Sequence, residues 1–213
     1  MTGTKDSAVT HEAIYRHLRE LRDHLKLPRG FTYPEISDGT FVIMMSPRPR
    51  HQVTAKDVTR QLDPQLPDGI MTFEATDTDD AALGKLRIPD IIVTAREAML
   101  TDDPLNPHEI LLAIEIVSPS NPANDYEAKS RDYPAMGIEH YLILDPRDGT
   151  WTYQWDIDTS EGRPAYGNRL HKQPYGTPLA INTELGTWKL DTSGLPLYSR
   201  KDMMLSPEHD GDD

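Results

Sequence analysis

The stretch LLAIEIVSPSNPANDYEAKSRDY, residues 111–133, decides the reading of this chain. Its first seven residues are apolar except for Glu115, and Lys129 follows fourteen positions after that glutamate. An apolar run of this length reads as a central strand covered on both faces. A carboxylate in such a strand loses its hydration, at a cost of several kcal/mol unless a cation or hydrogen-bond donors compensate. Two explanations fit: a structural ion pair, or a strand that ends early so that Glu115 meets water; and a site whose chemistry needs the carboxylate. Downstream, Asn124 with Glu127 three residues later has the form of a capping box, predicting a helix to about Tyr133 with Gly137 as its stop beyond Pro134.

The flanking segments punctuate into short elements. Ile14, Leu18, Leu21 and Leu25 form the stripe of an amphipathic helix ending near Pro28. Ser37-Asp38-Gly39 predicts a hairpin, and Val53, Val58 and Leu62 predict a second helix over His51–Leu62. GIMTFEA and KLRIPDIIVTA read as strands joined by the acidic, poorly structured ATDTDDAALG. HYLILD, the turn Pro146-Arg147-Asp148-Gly149 and TWTYQWDID predict another hairpin, with Trp151, Tyr153 and Trp155 on one face, for which core packing is a better explanation than stacking on bases. Residues 159–200 read as irregular loops and short edge strands. The expected organisation is an N-terminal helix over 1–29, one domain over 30–200 and a disordered acidic tail over 201–213.

Chemistry is suggested by two further residues. Asp90 opens the apolar Ile91-Ile92-Val93 and so belongs at a strand margin, within reach of Glu115 if the strands are neighbours. Adjacent carboxylates repel, and a hard divalent cation resolves that repulsion, since Mg2+ takes one or two carboxylates with water completing its octahedron. Lys129, on the following helix, can return its ammonium to the strand end and stabilise charge on a phosphoryl group; alternatively it is a solvated helix lysine. His51, at the start of the second helix, is either a polar group over this site or a surface or capping residue. Glu35 and Asp38 read as structural, and Asp125 is explained by the helix dipole.

PDIIV, LLAIEIVSPSN and DYEAKSRDYPAMGIEHYLILDP, preceded by YPEISDGTFVIMMSPRPRHQ, resemble the Uma2 family of the PD-(D/E)xK nuclease superfamily over roughly residues 30–156. The resemblance implies an α+β fold of restriction-endonuclease type: a mixed β-sheet flanked by helices, with antiparallel hairpins. It implies Asp90 and Glu115 as metal-binding acids. The superfamily's lysine is expected two residues past the glutamate, where Val117 stands; Lys129 matches the lysine that this family carries on the next helix.

The expected function is therefore a Mg2+-dependent endonuclease, with Mn2+ as a substitute, hydrolysing DNA through Asp90, Glu115 and Lys129, with His51 beside them. The alternative keeps the fold as an inactive binding or interaction module in which Glu115 and Lys129 form a structural ion pair. A hydrolase of small phosphate esters is a weaker third reading. The net charge of −13 argues against a protein that coats nucleic acid, although Arg48, Arg50, Lys56 and Arg60 form a local basic stretch opposed only by Asp57. The absence of cysteine excludes disulfides and thiolate metal sites. No glycine-rich phosphate loop or nucleophile elbow is present. Without a signal core or a run near the roughly 18 residues of a membrane span, a cytoplasmic location is expected. A homodimer is expected for cutting both strands, with the N-terminal helix as a candidate contact.

Overall fold

The structure, a computed structural model, describes residues 11–204. Most of the expected acidic tail, residues 205–213, lies outside the described residues. The elements follow in order: α1 (His11–His24), β1 (Glu35–Ser37), β2 (Thr40–Val42), α2 (Pro49–Leu62), β3 (Ile70–Glu74), β4 (Thr78–Asp80), β5 (Lys85–Arg87), β6 (Ile91–Ala95) and β7 (Ile110–Ile116). A π-helical segment, Asn124–Lys129, then runs into α3 (Ser130–Ala135), followed by β8 (His140–Asp145), β9 (Thr150–Asp158), β10 (Ala165–Pro174), β11 (Leu179–Thr183), β12 (Gly186–Leu190) and α4 (Arg200–Met204).

The main sheet has the order β10-β9-β8-β7-β6-β3, in which β7 and β8 are parallel and every other neighbouring pair is antiparallel. This is the expected mixed sheet, with β7 in its interior. On one face, Leu112, Ile114 and Ile116 of β7 pack with Ala55, Val58 and Leu62 of α2 and with the β11–β12 hairpin. On the other, Ala113 and Val117 pack with Tyr133, Met136 and Tyr141. The strand's alternation puts Glu115 on this second face, beneath the helix that follows β7. Trp151 and Tyr153 are buried in the first cluster and Trp155 packs against it, the core role expected of that hairpin face.

A second, antiparallel sheet, β2-β1-β5-β4, lies under α1. Asp38 and Gly39 both have positive φ, 51° and 71°, in the tight β1–β2 turn, the backbone twist that a two-residue hairpin loop requires. Helix α1 buries Tyr15 and packs Leu18 against Ile36 and Leu86, while Leu21 remains exposed, so the buried stripe is rotated from the expected one.

Five expectations need correction. KLRIPDIIVTA is two strands in different sheets, because the chain bends through Ile88-Pro89-Asp90, where proline cannot donate to a ladder. The acidic link contains β4, held by tertiary contacts: Arg22 pairs with Asp77, and the Tyr15 hydroxyl donates to Asp79. Asn124 is not a helix cap. The helix begins before it, and its buried side chain accepts from Arg87 instead. The helix also continues through Pro134 to Ala135, which costs one hydrogen bond next to the helix end. Gly137 does stop it, at φ 82°, with Ile138 N–H donating to Tyr133 O and Gly137 N–H to Pro134 O. Residues 159–200 contain a ten-residue edge strand, β10, rather than only short ones.

Candidate active site

Asp90 and Glu115 are brought together by the β6–β7 pairing. Ile91 stands opposite Ile114, so Asp90 falls beside Glu115, and its Oδ2 accepts the Ile116 N–H at 2.7 Å. The same oxygen is 3.1 Å from His51 Nε2, carried on the first turn of α2. Burial opposes ionisation of Asp90, but His51, Lys129 and the Ile116 N–H outweigh it and hold the carboxyl below its usual range. His51 is raised above the ordinary histidine value: burial disfavours its charge, and the neighbouring Asp90 more than offsets this.

Lys129 reaches back from the π-helical segment to the strand. Its Nζ lies 2.8 Å from Glu115 Oε2, 3.2 Å from Glu35 Oε1 and 3.7 Å from Asp125 Oδ1. The ammonium is fully buried and makes no well-directed hydrogen bond, so charge alone holds it there. Burial disfavours the charged form, but Glu115, Glu35 and Asp125 outweigh it and raise the lysine's pKa. The other Glu115 oxygen accepts from the Tyr133 hydroxyl. Burial first, and then the charges of Asp90, Asp125 and Glu35, push Glu115 well above the ordinary carboxylate range, against the pull of Lys129.

Three neighbours complete the cluster. Glu35 Oε2 pairs with Arg87 Nη1 at 2.7 Å, and Glu35 Oε1 accepts the Ile88 N–H. Lys129 and Arg87 overcome burial to hold Glu35 in its ionised form. The fully buried Arg87 also pairs with Asp132. Asp125 is buried and pushed up to about 7, by burial first and then by the charges of Asp90 and Glu35. Its backbone carbonyl accepts from Tyr141 and Ser130.

Asp90, His51, Glu35 and Asp125 line a cavity of about 610 Å3, whereas Glu115 and Lys129 lie behind its wall. The four positions named from sequence, Asp90, Glu115, Lys129 and His51, therefore fall in one cluster, with only two of them on the cavity surface. The sequence reading missed Glu35, Arg87, Asp125 and Tyr133. The spacing Asp125, Lys129, Tyr133 was the available signal, since residues four apart share a helix face.

A family model described as "Uma2: Putative restriction endonuclease" matches residues 21–156. The chain belongs to the Uma2 family. The crystal structure of a "putative nuclease belonging to DUF820" from Anabaena variabilis is similar, with a TM-score of 0.51 and 14% identity over 84% of this chain and 93% of that one. At that identity the likeness concerns the fold, which is the restriction-endonuclease-like mixed sheet with flanking helices. No curated protein matches the chain. Among the described residues, no helix is long and apolar enough to cross a membrane.

Uma2 membership raises the question of a divalent ion. No set of three or more His, Asp or Glu is gathered at ligating distance among the described residues. Mg2+ does not require one, because it binds through one or two carboxylates and keeps several waters. The donor set suits it: four carboxyl groups, Glu35, Asp90, Glu115 and Asp125, crowd one lysine, and their mutual repulsion contributes to the raised pKa of Glu115 and of Asp125. A hard cation would relieve that repulsion.

Proposed function

We propose that this Uma2 protein is a Mg2+-dependent endonuclease that hydrolyses DNA phosphodiester bonds, with Mn2+ able to replace Mg2+. The observation that carries the proposal is the cluster of Asp90, His51, Glu115 and Lys129, of which Asp90 and His51 line a cavity of about 610 Å3. Asp90 and Glu115 are assigned to hold the ion, which when bound acidifies water and neutralises phosphoryl charge.

The chain's own groups have separable tasks. His51 fixes one oxygen of Asp90 through its Nε2 contact. Lys129, kept protonated by the surrounding carboxylates, serves as a fixed positive charge and not as a general base. Tyr133 and Glu35 set the positions of Glu115 and Lys129. Cleavage of plasmid and single-stranded DNA by wild type, Asp90→Ala and Lys129→Ala tests the assignment. Cutting by wild type alone supports it; equal cutting by all three identifies a contaminant.

A second reading has its own observation. Glu115 and Lys129 are almost completely buried, and both Glu115 oxygens already have partners. A nuclease-like binding module with a structural Glu115–Lys129 pair would look the same. It predicts binding of DNA with no metal-dependent cleavage.

A further inference from the structure

The cavity has apolar and aromatic lining beside its acidic residues. It is lined by Phe31, Tyr33, Met45, Pro47, Pro119 and Tyr198. Tyr33 is 63% exposed and Phe31 40%, so two large aromatic rings stand partly in solvent at the entrance. Tyr33 is also braced: the Arg22 guanidinium lies 5.4 Å from its ring centroid, and Arg22 is itself fixed by Asp77 and the Pro34 carbonyl. The ring thus keeps most of its surface in solvent while Arg22 lies against it.

The arginines around the entrance are already engaged. Arg22 is paired with Asp77, and Arg48 and Arg50 both face Asp202, at 3.8 and 3.2 Å. With a net charge of −13 as well, phosphate contacts alone give weak binding to a duplex backbone. A cavity of about 610 Å3 has the size that takes one nucleotide-sized ligand. Asp90 and Tyr33 line the same cavity, and a base can lie on the Tyr33 ring only after it has left the duplex stack, which costs least in a strand that is already unpaired. Aromatic faces supply sequence-tolerant affinity for such a strand.

We propose that the cavity takes an unpaired DNA strand, with the base beside the scissile phosphate stacked on Tyr33 and Phe31 closing the same entrance. The proposal deepens the nuclease reading and rests on it for the word scissile. Its test is fluorescence anisotropy with a labelled oligonucleotide, single-stranded or annealed to its complement, in the absence of divalent ions, for wild type, Tyr33→Ala and Tyr33→Phe. Cleavage of the same substrates in Mg2+ is followed in parallel. The single strand is expected to bind at least about tenfold more tightly than the duplex. Tyr33→Ala is expected to lose roughly 5- to 150-fold in affinity, the worth of one base–aromatic stack, and Tyr33→Phe to keep it. Because Tyr33 is mostly exposed, unchanged thermal unfolding of Tyr33→Ala serves as the fold control. Equal binding of both substrates, or full affinity in Tyr33→Ala, overturns the proposal even if cleavage continues. Tyr33-dependent strand binding without any cleavage supports the proposed ligand and overturns the nuclease reading instead.

Discussion

Replacing Lys129 by methionine keeps most of the side-chain volume and removes the one ammonium that three carboxylates share. At an effective dielectric near 20, a unit charge at 3.2 Å, the distance to the ionised Glu35, is worth about 5 kcal/mol. Glu115 is closer but pushed toward its neutral form, so it adds less than its 2.8 Å separation suggests. The lysine's own desolvation offsets part of this, and breaking one side of a buried pair generally costs about 3–5 kcal/mol. For a protein of this size that corresponds to a melting temperature lowered by about 6–20 °C. Circular dichroism during thermal and urea unfolding at neutral pH measures it, with the exposed Lys56→Met as a control expected to stay within about 0.5 kcal/mol of wild type. A Lys129→Met protein within about 1 kcal/mol of wild type would refute the idea that this ammonium neutralises the cluster.

Other perturbations reach different parts of the account. Gly137→Ala is expected to destabilise by about 1–2 kcal/mol in urea unfolding, since φ is 82° there, while the exposed His108 ring, 2.4 Å from the added Cβ, can move aside. Asp132 is opposed by burial but held below its usual pKa by Arg87 and Lys85. A folded-state pKa below the unfolded one adds stability above the unfolded value, about 3.9, that is lost as the pH falls through the folded one. Acid titration of Asp132→Asn should accordingly show a shallower loss of stability below about pH 4 than wild type. Asp202→Asn should leave the half-exposed Arg50 available for phosphate, raising oligonucleotide affinity and steepening its salt dependence by up to about one phosphate contact; an unchanged salt slope would show that this arginine does not meet DNA.

The parts of the fold legible in the sequence are those where local chemistry and tertiary burial agree. The β1–β2 hairpin follows from Asp38-Gly39, α2 from its apolar spacing, and β7 from an apolar run with one carboxylate. What was hidden depends on partners distant in sequence. Strand β4 is acidic and looks unstructured until Arg22 and Tyr15 of α1 meet Asp77 and Asp79. The bend at Pro89 sends β5 and β6 into different sheets, which no period-two pattern can reveal. At the site, Asp90, Glu115 and Lys129 were visible because they open, interrupt and follow apolar strands respectively. Glu35 was not, because its partners Arg87 and Lys129 lie 52 residues and more away along the chain. Asp125 looked like a helix-dipole residue because its burial comes from packing of the π-helical segment on the sheet. The basic stretch at 48–60 was legible as charge, but not the approach of Asp202 to two of its arginines.

The central claim is that the Asp90–Glu115 pair is a site for a hard divalent ion. Isothermal titration of Mg2+ or Mn2+ into wild type, Asp90→Asn and Glu115→Ala tests it without any nucleic acid present. The account predicts one ion bound by wild type and none by either variant while both remain folded; an ion retained by Glu115→Ala, or no binding by wild type, would contradict it.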